Sequence, residues 1–530
     1  NHTMGNSSGG LKEYWDLIRK YPKYQGGYIW DYVDQALHRK PNAQMLSASV
    51  EGLNRVSNLS YPELNKIDYT YGGDYNRYDP SDNNFNCNGI IGPDRQLNPH
   101  AYEVAYQYQS IWAKAQGNLA ETKTVEVYNE NFFRSLDNYK MVWALMVDGK
   151  QVQQGEVQNL DVAPQATKAY QIPFSTDAVD DPEAEILLNI NFVLKQAEPL
   201  MKAGQTVAYE QLTVREWSRH CRDFEVTTAT TPKSKIKVVN KKNTTDITVQ
   251  NANFTVKFDK QTGLLKQYNV LGNDLLGEGG TLRPNFWRAV TDNDMGAGLQ
   301  RQFRAWRNPE MTLKSITAQP VKKQNSVVVE ATYDMPGVSA ELTMSYVVLD
   351  GGVIHVFEQM KTDSTAKVSD MFRFGVVLDM PYSYDRSEFY GRGPVENYND
   401  RALCMPLTIC KQTADEQFFP YIRPQETGTK TDMRWWEQKN AAGVGLRIQA
   451  SNRFTASALH YNIMDLDEGM DKAQRHSPQV PKSKYTELAL DMIQTGVGGI
   501  NSWSRDAQAL PQYRVNYKDR VFKFWLIPVK

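Results

Sequence analysis

Trp30-Asp31 sets an indole face beside a carboxylate within the stretch Gln25-Gly26-Gly27-Tyr28-Ile29-Trp30-Asp31-Tyr32-Val33-Asp34-Gln35. A flat aromatic face with polar neighbours suits the C–H face of a sugar ring. A core Trp capped by a solvated Asp fits the same residues, so the pair alone leaves both readings open. His2, Asn88-Gly89 and Trp503, which follows Gly498-Gly499, add groups of the same usefulness. An imidazole hydrogen-bonds hydroxyls, an amide supplies a neutral oxygen, and a second indole stacks. Each also has a plain alternative: a solvated terminal His, a turn, and a Trp packed inside a domain. Other chemistries find less support. His38, His100, His220, His355, His460 and His476 are too dispersed to form a cluster, and no Cys-x-x-Cys pair exists for a thiolate zinc site. Gly391-Arg392-Gly393 lacks the following helix and the Lys of a phosphate loop.

The elements that must hold these residues come in two kinds. Tyr28–Trp30 reads as a short buried strand, opened by a Gly pair and closed by acids. In β/α folds the C-terminal end of such a strand is where active sites are built. Leu11, Tyr14, Trp15, Ile18 and Tyr21 recur at helical spacing before it, an amphipathic helix that ends near Pro22. Residues 38–98 lack a long periodic pattern and read as a functional loop or lid. A second helix, about His100 to Trp112, is expected to turn Tyr102, Ala105, Tyr106 and Ile111 inward.

After Gly117 the hydrophobic period changes from 3.6 to 2. Thr122–Tyr128, Tyr139–Val147, Lys168–Ile172, Glu185–Val193 and Thr206–Val214 read as strands of an immunoglobulin-like sandwich. The polar, apolar-poor run Thr227–Lys235 reads as a linker. Beyond Lys237, Asp246–Val249, Phe254–Asp259, Ser326–Tyr333, Ala340–Val348, Val353–Gln359, Lys484–Asp491 and Val521–Leu526 alternate, which suggests one large two-sheet sandwich. Arg288–Gly296 reads as a solvated acidic turn.

A chain of 530 residues calls for more than one core. The formal net charge of -1 gives no electrostatic case for nucleic acid or an anionic membrane surface, and no apolar run approaches a membrane span. Four cysteines, Cys87, Cys221, Cys404 and Cys410, are too sparse for a disulfide framework, and Cys404 and Cys410 read as small buried residues. The sequence begins at Asn1 with neither an initiator Met nor a signal peptide, and so reads as the C-terminal part of a longer protein.

Several stretches, in order, resemble the long-form β-galactosidases of glycoside hydrolase family 2. They are Asn1-His2-Thr3-Met4-Gly5-Asn6-Ser7, the Trp30 stretch, Tyr71-Gly72-Gly73-Asp74, Phe85-Asn86-Cys87-Asn88-Gly89, Asp94-Arg95, Asp292-Asn293-Asp294-Met295-Gly296, Gly391-Arg392-Gly393-Pro394-Val395-Glu396-Asn397-Tyr398 and Gly498-Gly499-Ile500-Asn501-Ser502-Trp503. The resemblance covers essentially the whole chain. It implies a mainly β fold: residues 1–116 as the incomplete C-terminal end of a (β/α)8 barrel, 117–226 as an immunoglobulin-like sandwich, and 227–530 as a large antiparallel β-sandwich.

It also implies hydrolysis of terminal β-D-galactose with retention by the parent protein, which needs two carboxyl groups about 5 Å apart. The family's two catalytic Glu fall before Asn1, so no catalytic residue is assigned and this chain is expected to be inactive alone. The alternative is a non-catalytic carbohydrate-binding or structural module. By resemblance His2, Trp30, Asn88 and Trp503 contact substrate, with Trp503 stacking on the leaving-group sugar, and the Trp30–Asp31 bond is cis. Phe85 and Asn88 supply half of a sodium site. The main magnesium ligands of the parent lie outside this chain, and Asp292–Gly296 belongs to a loop that shifts with ligand. The implied partners are β-galactosides, with no nucleic acid and no membrane, and the parent protein is a homo-oligomer. Its compartment reads as cytoplasmic, with periplasmic as the alternative. With about two of eight β/α units present, residues 1–112 must dock on the sandwiches or stay mobile.

Overall fold

A computed structural model describes residues 1–39, 59–76, 78–218, 234–321 and 324–530. Most of the expected linker, residues 227–233, and Cys221 lie outside the described residues. So does a large part of the 38–98 loop, residues 40–58.

The alternating stretches fold as read. Tyr139–Val147 alternates along most of its length, and Tyr139, Met141, Trp143 and Leu145 share one core with Leu188 and Ile190 of the neighbouring strand and with Val125 and Val127 of the opposite sheet. Ile111–Ala115, Thr124–Asn129 and Thr167–Gln171 form one sheet. Lys150–Val157, Tyr139–Val147, Ile186–Leu194 and Thr206–Arg215 form the other. Two antiparallel sheets closing on one core make a β-sandwich.

The second core is far larger. A ten-stranded sheet runs from Lys237–Val239 at one edge, through Phe254–Asp259, Leu282–Asn285, Arg373–Pro381 and Tyr485–Gln494, to Lys430–Met433. A nine-stranded sheet runs from Thr312–Val321 through Ala340–Val348, Ile354–Thr362 and Arg520–Val529 to Leu407–Thr413. Strand pairing throughout both is antiparallel. Phe258, Leu342, Val356, Leu378, Leu488 and Phe524 interdigitate between them. Glu185 of the smaller sandwich ties the two together. It accepts hydrogen bonds from the Tyr390 hydroxyl and from both Nε (3.0 Å) and Nη2 of Arg434, all buried.

The N-terminal region departs from its reading in several places. The first helix, Leu11–Lys20, is as expected. The second is Ala101–Gln107, shorter than expected, because Ile111 and Trp112 begin the strand Ile111–Ala115. Its inward face is also different: Ala101, Glu103, Val104 and Gln107 are buried and Ala105 is exposed. Glu103 goes inward because its carboxylate has donors there, the Cys404 backbone N–H (3.1 Å) and the Gln107 amide (2.8 Å). Tyr28–Trp30 is not a buried strand. Tyr28 is 94% and Trp30 61% exposed, and the pairing is limited to isolated parallel bridges, His2 with Trp30 and Val33 with Ile91. Asp292–Gly296 is a short helix and not a solvated turn, and Asp292, Asn293 and Asp294 are buried. Cys87, Cys404 and Cys410 are buried free thiols.

The region is anchored by docking, one of the two expected outcomes. Asn6 donates to the Tyr398 hydroxyl (2.9 Å) and the Glu426 carbonyl (2.7 Å), and Arg401 donates to the Ser7 carbonyl. Tyr69 and Tyr71 pack with Phe419 and Tyr421.

Candidate functional site

Three short segments converge on His2. Trp30 N–H donates to the Asn1 carbonyl and Thr3 N–H to the Trp30 carbonyl, both at 2.8 Å. On the other side Asp31 N–H donates to the Asn88 carbonyl at 2.6 Å. The 1–3, 30–34 and 88–91 segments thus lie side by side, and the Trp30–Asp31 peptide among them is cis.

His2 is 5% exposed. Its Nδ1 lies 2.9 Å from Ser502 Oγ, and Ser502 Oγ donates to Asn293 Oδ1 at 2.7 Å. Asn293 Nδ2 is committed to the Val497 carbonyl, so its Oδ1 is the acceptor and the Ser502 proton points to it. Ser502 therefore accepts from His2, which places the imidazole proton on Nδ1. Nε2 is left as an acceptor toward Asn88 Nδ2, 3.4 Å away. Burial pushes His2 down to about 4, so the ring is neutral at neutral pH.

Aromatic faces surround it. Phe85 stacks on the imidazole with centroids 4.9 Å apart, and Trp503 meets it edge-on at 5.2 Å. Phe85 and Trp503 approach within 5.8 Å of each other. Trp503 is 60% exposed, so it does not pack inside the large sandwich. It is presented there by the 497–503 loop, which Asp400 holds through the Val497 and Gly498 N–H groups (3.0 and 2.8 Å). Gly296 lets that loop sit close: a Cβ there would lie 2.0 Å from the Ser502 carbonyl oxygen.

Beneath the rings lies a buried ionic layer. Asp292 receives Arg423 Nε (2.8 Å), Lys472 Nζ (3.1 Å), Gln425 Nε2 (2.9 Å) and Asn84 Nδ2 (3.0 Å). Burial alone would raise the Asp292 carboxyl, but Arg423 and Lys472 overcome it and hold the group well below the usual carboxylate range. Asp34, also buried, is pushed up to about 7 by desolvation while accepting from Gly89 N–H (2.7 Å) and Asn98 (3.0 Å). Neither carboxyl is exposed to a ligand above the rings.

Of the four expected binding residues, His2, Asn88 and Trp503 come together, while Trp30 joins them through its backbone and leaves its indole largely exposed. Ser502, Asn293 and the Asn84–Asp292 contact were missed as functional residues. For Asp292, Asn293 and Ser502 the signal was only their place inside the quoted motifs, and Asn84, just before one of them, had none, since these contacts act across about 200 or more residues of sequence.

A hard monovalent cation fits one feature. Asn88 is 2% exposed and its Oδ1 has no hydrogen-bond donor among the described residues. A buried acceptor oxygen without a donor is what such an ion satisfies. Among the described residues no group of three His, Cys, Asp or Glu side chains is placed to hold a metal.

Three family descriptions match in chain order: "Glycosyl hydrolases family 2, TIM barrel domain" over residues 1–113, "Beta-galactosidase, domain 4" over 125–215, and "Beta galactosidase small chain" over 250–526. A β-galactosidase of Priestia megaterium is 31% identical over 98% of this chain and 46% of its own length. One from Streptococcus thermophilus is 28% identical over 95% of this chain and 44% of its own. The chain thus spans under half the length of these relatives. Among solved structures, galactose 1-epimerase from Lactobacillus acidophilus overlaps 56% of this chain and 99% of its own at 11% identity and a TM-score of 0.32, and nothing follows from so slight a likeness.

Proposed function

Because the chain belongs to the β-galactosidases of glycoside hydrolase family 2, we propose that it works as part of an enzyme that removes terminal non-reducing β-D-galactose with retention. This stretch supplies the floor and one wall of the sugar pocket. The single observation that carries the reading is the ring cluster of His2, Phe85 and Trp503, which joins residues 500 apart and is locked by the His2–Ser502–Asn293 relay.

Each residue has a definite part. His2 Nε2 and the Asn88 amide offer an acceptor and a donor to adjacent hydroxyls of galactose. Trp503 offers its exposed face to the leaving-group sugar. The Phe85 carbonyl and Asn88 Oδ1 would hold sodium, which supplies a positive centre for a sugar hydroxyl when bound. The covalent route of a retaining enzyme needs a nucleophile and an acid/base; here Asp34 and Asp292 are buried beneath the rings, and the partly exposed Asp31 is held by the Tyr32 N–H and the Gln35 amide (2.8 Å). The isolated chain is therefore a binding surface, the sense in which the carbohydrate-binding reading applies to it.

The test has two parts. The 530-residue chain alone is expected to hydrolyse no chromogenic β-galactoside. A rate proportional to its concentration would overturn this. In the longer protein, Trp503→Ala is expected to weaken inhibition by glucose about fivefold, matching roughly 1 kcal/mol of ring stacking. Inhibition by galactose and the melting temperature should hold, because Trp503 is exposed and His2 and Asn88 remain. Equal loss for both sugars with a large fall in melting temperature would assign Trp503 to packing.

A further inference from the structure

The peptide that joins Asn88 to Gly89 is held at both ends. Its carbonyl accepts from Asp31 N–H at 2.6 Å, and its N–H donates to Asp34 Oδ1 at 2.7 Å. The backbone explains why a side chain is needed for the second bond. Ile90 N–H and Ile91 N–H reach the carbonyls of Asp31 and Tyr32 at 3.1 Å, and Asp34 N–H reaches that of Ile91 at 2.9 Å. In a parallel run the residues between such bonds turn their N–H and C=O to the other side. Gly89 is one of these, and among the described residues neither of its groups has a backbone partner.

Side chains take both groups. The Gly89 carbonyl accepts from Asn98 Nδ2 and from His100 Nε2, each at 2.9 Å. A carbonyl only accepts, so His100 carries its proton on Nε2. Asn98 Nδ2 also donates to Asp34 Oδ2 at 3.0 Å. Asp34, Asn98 and His100 are all buried. Only glycine fits between them: a Cβ at Gly89 would lie 2.1 Å from the Asp34 nitrogen and 2.3 Å from the Val33 carbonyl carbon.

A carboxylate gains nothing here from charge. Both of its donors are neutral, and Asp292 and Asp31 add negative charge nearby. An amide would be easier to bury, but it offers one acceptor oxygen where two donors converge. Geometry is therefore what calls for Asp34. That geometry serves Asn88. Among the described residues the only hydrogen bond of the Asn88 side chain is the 3.4 Å contact of Nδ2 with His2 Nε2. So long a contact directs the amide weakly, and its aim is set by the backbone, whose ψ the held peptide fixes.

We propose that Asp34 is a positioning residue for galactose: with Asn98 and His100 it clamps Gly89, and the clamp aims the Asn88 amide at a galactose hydroxyl. This rests on the reading that Asn88 contacts galactose. The test takes inhibition constants for galactose and glucose on the longer protein, with a thermal melt of each variant. Asp34→Asn is expected to weaken galactose about tenfold, the equivalent of one hydrogen bond to a charged group. Glucose, stacked on Trp503, should be unchanged, and the melting temperature should hold or rise because a buried charge is gone. Combining Asp34→Asn with Asn98→Asp puts the second acceptor oxygen on the other partner and should bring galactose back to within about threefold of its native constant. Asn98→Ala leaves position 34 intact and should weaken galactose about threefold, so the clamp is still tested if Asp34→Asn fails to fold. Asn88→Ala separates the two levels of the argument. If it weakens galactose and the clamp variants do not, the proposal falls alone. If it leaves galactose unchanged, the reading of the site falls and the proposal with it. Equal loss for both sugars, or no recovery in the exchanged pair, would assign Asp34 to folding.

Discussion

Asp292→Ala is expected to lower the stability of the large sandwich by about 3–5 kcal/mol, the cost typical of removing one partner from a buried ionic group. Arg423 is 0% exposed in its side chain and would keep only Glu468 (3.1 Å) as a carboxylate partner. The amide groups of Asn84 and Gln425 would each lose an acceptor without gaining water. The damage should spread upward, because Asn84 precedes Phe85 and Asp292 precedes Asn293, the acceptor for Ser502. Urea unfolding followed by tryptophan fluorescence measures the first effect. Loss of the upfield ring shifts of His2 and Phe85 in proton NMR measures the second.

Asp292→Asn separates charge from shape. The folded carboxyl is depressed below its ordinary value of 3.8, so its stabilisation is present above that pH and is lost as pH falls through the folded value. The native protein should therefore lose stability more steeply than Asp292→Asn as pH drops below about 4. Parallel pH profiles for the two proteins would mean that Asp292 is held by its neutral contacts alone.

How much of this was readable in the sequence depends on how local the cause is. Phe254–Asp259 and Ala340–Val348 have the limits that alternation gave them, because one buried face per strand is written directly in a period of two. The Leu11–Lys20 helix is equally local. Helical spacing put Tyr102, Ala105, Tyr106 and Ile111 inward and did not single out Glu103, whose burial is made favourable by a distant backbone N–H of Cys404. Tyr28–Trp30 failed for the opposite reason. Its residues have strand propensity, but propensity needs neighbours on both sides, and the segment bridges only in part. The ring cluster could not come from local pattern at all. His2 and Trp503 meet only because Asp400 and Gly296 place the 497–503 loop, so the family motifs, not periodicity, pointed to it.

Glu358→Met is expected to make the protein more stable, by about 1–4 kcal/mol at pH values near 8, the usual range when a buried charge gives way to an apolar side chain of similar volume. Glu358 sits on Ile354–Thr362 at an inward position, level with Met344 and Phe522 on the flanking strands. It is 0% exposed, and neither carboxyl oxygen has a hydrogen-bond partner among the described residues. Burial raises its carboxyl well above the ordinary 4.5, and the negative charge of Asp491 raises it further. A raised folded value means that the proton is held more tightly in the native state than in the unfolded chain. The associated stability is then complete below the ordinary carboxyl value and is lost as pH rises toward the folded one. The native protein should thus weaken between about pH 5 and about pH 8, while Glu358→Met stays nearly level over the same interval. Urea midpoints at the two pH values decide it. A variant no more stable than the native protein at the higher pH, or a gap of the same size at both, would show that Glu358 is satisfied in solution by a partner such as trapped water.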